Sequence, residues 1–264
     1  MQYGYGYGYY PPGPWSTNPI YYGAPIPQFP GPDNEWSRTL LQFPRDSSPQ
    51  FTPPSAPVLK RLKYSESRFQ DIASKFRESW LHTDRKLANI GFIYDCQVDE
   101  TLWYDYREYS ERVGNTQAPL WHGTSRKCTL GDDPSNAELC HNSDCSLCQI
   151  IKTGYKTGHA RSSGLLGSGI YTTTVSSKAA KYATTSKKSK YNVVLYNIVA
   201  VGRRYNATGP MKNASSPPPG YNSVYGNPGV TSLGPGKRSL QFIETCIYDD
   251  NAIEPLYMVL FTEE

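Results

Sequence analysis

From Val58 onward the apolar residues recur at regular spacings. Phe69, Ile72, Phe76 and Trp80 fall at helical spacing and predict an amphipathic helix, with Ser67 and Gln70 placed to form a capping box at its start. Ile90, Phe92, Tyr94 and Cys96 alternate and predict a strand. Leu102, Tyr106, Tyr109 and Val113 follow at i, i+4, i+7 and i+11, a second amphipathic helix. A short strand over Pro119–His122 ends at Gly123, a helix covers Ser176–Ala183, and a long apolar strand, Val193–Val201, closes at Gly202. Leu240–Tyr248 and Leu256–Thr262 read as two final strands. Roughly Tyr205 to Gly236 is rich in Pro, Gly and Asn, too long for a plain connection and therefore a candidate functional loop. Helices come first and strands with long loops follow, which is an α+β order rather than alternating βαβ.

Three apolar runs each carry one group that costs free energy if buried without a partner: Leu120-Trp121-His122-Gly123-Thr124, Gly169-Ile170-Tyr171, and Phe242-Ile243-Glu244-Thr245-Cys246-Ile247-Tyr248. Read as a strand, the third run puts Leu240, Phe242, Glu244, Cys246 and Tyr248 on one face. An edge-strand glutamate in solvent is the plain alternative. The apolar run that follows, Glu254 to Leu260, favours a strand inside a sheet. Three such insertions, far apart in sequence, suggest one site assembled by the fold.

Composition changes the picture at the N-terminus. Mean hydropathy is -0.60 and hydrophobic residues make up 38% of the 264-residue chain. The deficit is local: residues 1–57 hold 13 of the 22 prolines and open on Tyr-Gly repeats. Such a stretch buries too little apolar surface to offset its ordering entropy and reads as a disordered tail, 1–57, before a folded region, 58–264. Neither a secretory leader nor a membrane span is visible, so an intracellular place, nuclear or cytoplasmic, is expected. Net charge is +4, with Lys178, Lys181, Lys187, Lys188 and Lys190 clustered. They read as a solvated face or as a surface for phosphates or acidic partners.

With these pieces in order, the chain resembles the catalytic domain of poly(ADP-ribose) polymerase-like ADP-ribosyltransferases. Their H-Y-E signature is similar to His122-Gly123-Thr124, Gly169-Ile170-Tyr171 with Ser177-Lys178, and Glu244 in a Glu-x-x-x-Tyr-Asp context. Leu102-Trp103-Tyr104-Asp105-Tyr106 looks like the family's helix before the His strand, and Pro218 to Val224 like the loop before the Glu strand. The resemblance runs from about Phe69 to Phe261. It implies a split β-sandwich, two packed β-sheets with the helices mainly N-terminal. It also implies NAD as substrate, cleaved at the nicotinamide–ribose bond through an oxocarbenium-like transition state before ADP-ribose passes to an acceptor.

By the same resemblance, Glu244 would bind the nicotinamide-ribose 2′-hydroxyl and stabilise the developing cation. His122 would hold the adenosine-ribose hydroxyls, with Gly123 and Thr124 beside the nicotinamide amide. Tyr171 and Tyr182 would stack on the nicotinamide ring, and Ser177 and Lys178 would border the cofactor. The family usually carries a serine directly after that lysine, and here the position is Ala179. One missing neutral hydrogen bond is worth about 0.5–1.5 kcal/mol, up to roughly tenfold in NAD affinity. Ser177 or Ser163 is placed to compensate.

Cys128, Cys140, Cys145 and Cys148 have metal-ligand spacing, C-x₁₁-C-x₄-C-x₂-C, within a Cys-rich insert, 128–148, similar to fungal and related eukaryotic members. A structural zinc with Cys145 and Cys148 gripping the ion in a turn is the favoured expectation. Free thiols and a redox pair are the alternatives, and His141 is an alternative ligand to Cys128. The leading function is ADP-ribosyl transfer to protein. Transfer to nucleic acid or water is a variant, although aromatic residues interleaved with the lysines are limited to Tyr182 and Tyr191. An inactive NAD-fold scaffold is the opposing class, favoured by Ala179 and opposed by His122, Tyr171 and Glu244.

Overall fold

The longest apolar stretch of the chain forms the strand β9, Ile253–Glu263, whose first nine residues are all buried. Burial on both faces is the reason this strand reads as continuous hydrophobicity rather than alternation. In the computed structural model, which describes residues 52–82, 84–160, 164–230 and 239–263, β9 is the middle strand of the larger sheet. Its neighbours are β2, Ala88–Gln97, and β5, Asn192–Ala200, both antiparallel. β1, Val58–Arg61, pairs outside β2, and β3, Gln117–Gly123, pairs outside β5.

The second sheet has the order β4-β8-β7-β6, with β4 Ile170–Thr172, β6 Arg204–Ala207, β7 Ser223–Gly226 and β8 Glu244–Ile247. The two sheets meet where β3 passes β4: Trp121 N–H donates to the Thr173 carbonyl at 2.8 Å, and Thr173 N–H to the Trp121 carbonyl at 3.0 Å. The α+β class and the two sheets agree with the expectation from sequence.

The helix α1, Ser67–Glu78, buries Phe69, Ile72, Ala73 and Phe76. The Phe76 ring lies 5.3 Å from Trp80, 5.4 Å from Trp121 and 5.2 Å from Phe261, so one aromatic cluster ties α1 to β3 and β9. The helix α2, Glu100–Arg112, is capped by Asp99, whose carboxylate accepts from Leu102 N–H at 3.0 Å. Ahead of β1, Pro53 is buried and the Pro54 carbonyl accepts from Glu100 N–H at 2.9 Å. Most of the proline-rich N-terminal stretch lies outside the described residues, as does Ser163. Among the described residues no helix is long and apolar enough to cross a membrane.

Several element boundaries differ from the sequence pattern. α1 starts with Glu66, not Ser67, at its N-cap. The Glu66 carboxylate accepts from Lys63 N–H, and Gln70 donates to the Tyr64 carbonyl, so the expected capping box does not form. The helix α4, Ser176–Ala180, ends before Ala183, because the next amides close i→i+3 turns onto Ala179 and Ala180. β8 is shorter than Leu240–Tyr248: the chain bends at Gln241–Phe242, leaving Glu244 as the first strand residue. The expected loop from Tyr205 contains β6 and β7, a parallel pair of four residues each. Strands that short carry too little periodicity to be read ahead of the fold.

Replacing Phe76 by Ala removes a fully buried ring from the aromatic cluster. A loss of about 3–5 kcal/mol is expected in urea unfolding. A loss under 1 kcal/mol would show that the cluster does not anchor α1.

Candidate functional site

The three polar insertions converge where β3, β4 and β8 come together. β3 delivers His122 beside β4, and its Nδ1 lies 2.8 Å from the backbone carbonyl of Tyr171. A carbonyl only accepts, so Nδ1 carries the proton and Nε2 of the neutral ring carries the lone pair. Burial lowers the His122 pKa, and the bond to the Tyr171 carbonyl opposes it only in part. The imidazole is therefore neutral near pH 7. Tyr155 packs edge-on to it at 5.1 Å, and its hydroxyl donates to Asn197 Oδ1 at 2.7 Å. Asn197 in turn donates to the Leu120 carbonyl at 3.0 Å, so the ring, its support and its own strand form one closed network.

Gly123 follows because nothing larger fits. A Cβ there would lie 1.9 Å from the Ala179 carbonyl oxygen, so the end of β3 rests directly on α4. Tyr171 spends its hydroxyl on the loop before it, accepting from Leu166 N–H at 2.8 Å and donating to the Gly167 carbonyl at 2.9 Å. Tyr248 donates to the Leu166 carbonyl, which fixes the same loop from β8. Tyr171 is thus a half-buried ring whose position is set from both ends.

Glu244 is 6% exposed, and its Oε1 lies 2.9 Å from Lys178 Nζ. Burial works against the Lys178 charge, but attraction and hydrogen bonding to Glu244 raise its pKa overall, with Tyr182 contributing. The two side chains therefore pair where little solvent reaches them. Lys178 Nζ also sits 5.4 Å from the centre of the Tyr182 ring, which is half exposed. The α4 helix thus presents Lys178 towards the carboxylate, while Ala179 is buried against β3.

Ser177 does not face this group. Its hydroxyl oxygen accepts from Leu81 N–H at 3.0 Å and His82 N–H at 3.1 Å, using both lone pairs. Its proton then goes to His82 Nδ1 at 2.9 Å, and the hydroxyl has no capacity left for a ligand. The His82 ring stacks on Phe242 at 4.4 Å, two residues before Glu244. His82 carries no signal in the sequence pattern, and Phe242 shows there only as an apolar member of the Glu244 run. Asn197 does: it is a polar residue inside the apolar Val193–Val201 run, the same kind of insertion that marks His122 and Glu244.

Away from the carboxylate, the Sγ atoms of Cys128, Cys140, Cys145 and Cys148 all lie within 4.8 Å of one another. Two of the separations, Cys128 to Cys145 and Cys128 to Cys148, are 3.7 Å. Four sulfurs at about 2.3 Å from one tetrahedral ion stand about 3.8 Å apart. His141 is exposed and outside this group. Hydrogen bonds among the thiols push Cys128 up to about 11 and hold Cys145 low. Cys145 and Cys148 do not lie in a plain turn. Cys145 caps the helix α3, Ser146–Thr153, and Cys148 is in its first turn.

The model of the poly(ADP-ribose) polymerase catalytic domain matches residues 67–249, more than half of the chain and all three insertions. No curated protein gives a match.

His82 links this region to pH. Burial first, then Lys181, lowers its pKa from 6.5 to about 4, and protonating Nδ1 would break the bond from Ser177. The unfolded chain binds the proton more readily, so stability is full above about 6.5 and falls as pH drops towards 4. Thermal unfolding at pH 7 and pH 5 should show a lower midpoint at pH 5, with a smaller drop in His82→Gln. Equal drops in the two proteins would remove His82 as the cause.

Proposed function

Because the chain belongs to the poly(ADP-ribose) polymerase catalytic-domain family, we propose that it is an NAD-dependent ADP-ribosyltransferase. It cleaves the nicotinamide–ribose bond and passes ADP-ribose to a protein acceptor, and the four-cysteine cluster holds a structural zinc ion. The observation that carries the reading is the buried Glu244, paired with Lys178 at 2.9 Å on the strand next to that of Tyr171, whose carbonyl meets His122.

As the C1′–N bond breaks, its electron pair leaves with nicotinamide and positive charge grows on the ribose. A fixed carboxylate in a dry site stabilises that charge without reorganising. Glu244 takes this role, binds the 2′-hydroxyl and polarises the acceptor. Lys178 holds the carboxylate in position through the 2.9 Å contact. His122 offers its Nε2 lone pair to an adenosine-ribose hydroxyl, while Gly123, with Thr124 beside it, lets the nicotinamide amide approach the backbone. Tyr171 and Tyr182 supply aromatic faces for the nicotinamide ring, where stacking adds about 0.5–1.5 kcal/mol beyond area burial.

A second reading, an NAD-fold module without catalysis, is favoured by Ala179 together with the Ser177 hydroxyl committed to Leu81 and His82. Nicotinamide release separates the two. Glu244→Gln should lower it on the order of 10²–10³-fold. That substitution also leaves Lys178 buried without its counter-charge, a cost of about 3–5 kcal/mol, so Lys178→Met with Glu244→Gln serves as the better-folded inactive control. Undiminished release from folded Glu244→Gln would overturn the role of the carboxylate, and no release from the parent protein would favour the module.

A further inference from the structure

We infer that the four-cysteine cluster is a zinc knuckle that holds the His122 side of the cleft in place, so that the NAD site is complete only when the metal is bound. The inference rests on the zinc and NAD readings given above and adds what the metal does.

The insert needs a brace. Between the end of β3 at Gly123 and the start of α3 at Ser146, the only β pairing among the described residues is an isolated bridge from Ser125 to Thr184. α3 itself has eight residues and no side-chain cap at its N-terminus. Helices shorter than about 12–15 residues are marginal without outside support. The cysteines supply four ligands of one soft type, all within 4.8 Å of one another and two pairs at 3.7 Å, which suits zinc and leaves no open coordination position for chemistry. On binding, the thiols that still carry protons release them to solvent, and all four sulfurs become thiolate ligands.

Two short paths run from the cluster to His122. One goes back along the chain: Lys127 N–H donates to Cys145 Sγ at 3.3 Å, Leu147 N–H to the Ser125 carbonyl at 2.9 Å, and the Ser125 and Ser146 hydroxyls bond at 2.8 Å. This fixes the segment just after Gly123. The other path goes forward through α3. Cys148 lies in its first turn, the helix ends at Gly154, and the next residue is Tyr155, whose ring rests on His122 and whose hydroxyl holds Asn197. At Gly154 φ is +74° and a Cβ would lie 2.9 Å from Leu102 Cδ2, so the exit of the helix has little slack. A metal that fixes Cys128, Cys145 and Cys148 therefore sets both the backbone after His122 and the ring that orients it. Tyr155 is a positioning residue in this scheme, and the zinc acts through it.

The test uses the full chain purified without chelator. Zinc is quantified, then removed with a thiol-tolerant chelator and restored. Hydrogen exchange is followed at Leu147–Tyr155 and along β5, and NAD binding is measured by calorimetry. About one zinc per chain is expected. Its removal should speed exchange at Leu147–Tyr155 and around Asn197 and weaken NAD binding by about tenfold or more, with recovery on restoring zinc. Cys140→His, which keeps a ligand, should retain zinc and protection, and Cys140→Ala should lose both. Fewer than ~0.2 equivalents of zinc, or a metal-free protein with unchanged exchange at Leu147–Tyr155, would overturn the inference. If the zinc-loaded protein binds no NAD, the transferase reading fails, and the exchange arm alone decides whether the metal braces Tyr155.

Discussion

Two backbone hydrogen bonds between Trp121 and Thr173 hold the edge of the five-stranded sheet to the edge of the four-stranded one. The rest of the site depends on this joint. It puts His122, the residue after Trp121, against the carbonyl of Tyr171, two residues before Thr173. It also brings α4, which begins four residues after Thr172, under the end of β3 so closely that only glycine fits at position 123. The aromatic cluster of Phe76, Trp80, Trp121 and Phe261 packs behind the same strand, so the core and the cleft share one wall.

Buried charge is the second constraint. Removing two ions from water costs several kcal/mol each, and their attraction offsets that only when geometry is good. Lys178 and Glu244 meet this condition at 2.9 Å. So do Arg126 and Asp132 at 2.7 Å, where the guanidinium also reaches the Leu130 and Tyr191 carbonyls. The two pairs have different surroundings. Arg126 is saturated with backbone and hydroxyl acceptors and pins the Thr185–Tyr191 segment. Glu244 pairs with Lys178, whose ammonium also lies 5.4 Å from the centre of the Tyr182 ring. Saturation suits a structural anchor.

The supports around these groups come from distant parts of the chain. Asn197 on β5, Tyr155 after α3 and Tyr248 after β8 each fix one side of the His122–Tyr171 contact. The Ser177 hydroxyl anchors the 81–82 backbone to α4, so the segment after α1 and the lysine of α4 hold each other in place. The cysteine insert joins this arrangement from the far side of His122, through Ser125 and α3.

Local pattern alone determined a good deal. The 3.6-residue spacing of Phe69, Ile72 and Phe76, the continuous apolar run of β9, and the cost of burying His122, Tyr171 and Glu244 in apolar runs all follow from side-chain chemistry read in order. They located α1, the central strand and the three insertions, and the thiol spacing located the cysteine cluster. Only the tertiary structure decided that Ser177 spends its hydroxyl on Leu81 and His82, and that β6 and β7 pair in parallel inside an apparent loop. These depend on contacts between residues tens of positions apart. The free energy of a hydrogen bond, an ion pair or a four-residue ladder is set by which distant partner the fold supplies, and no local periodicity encodes that.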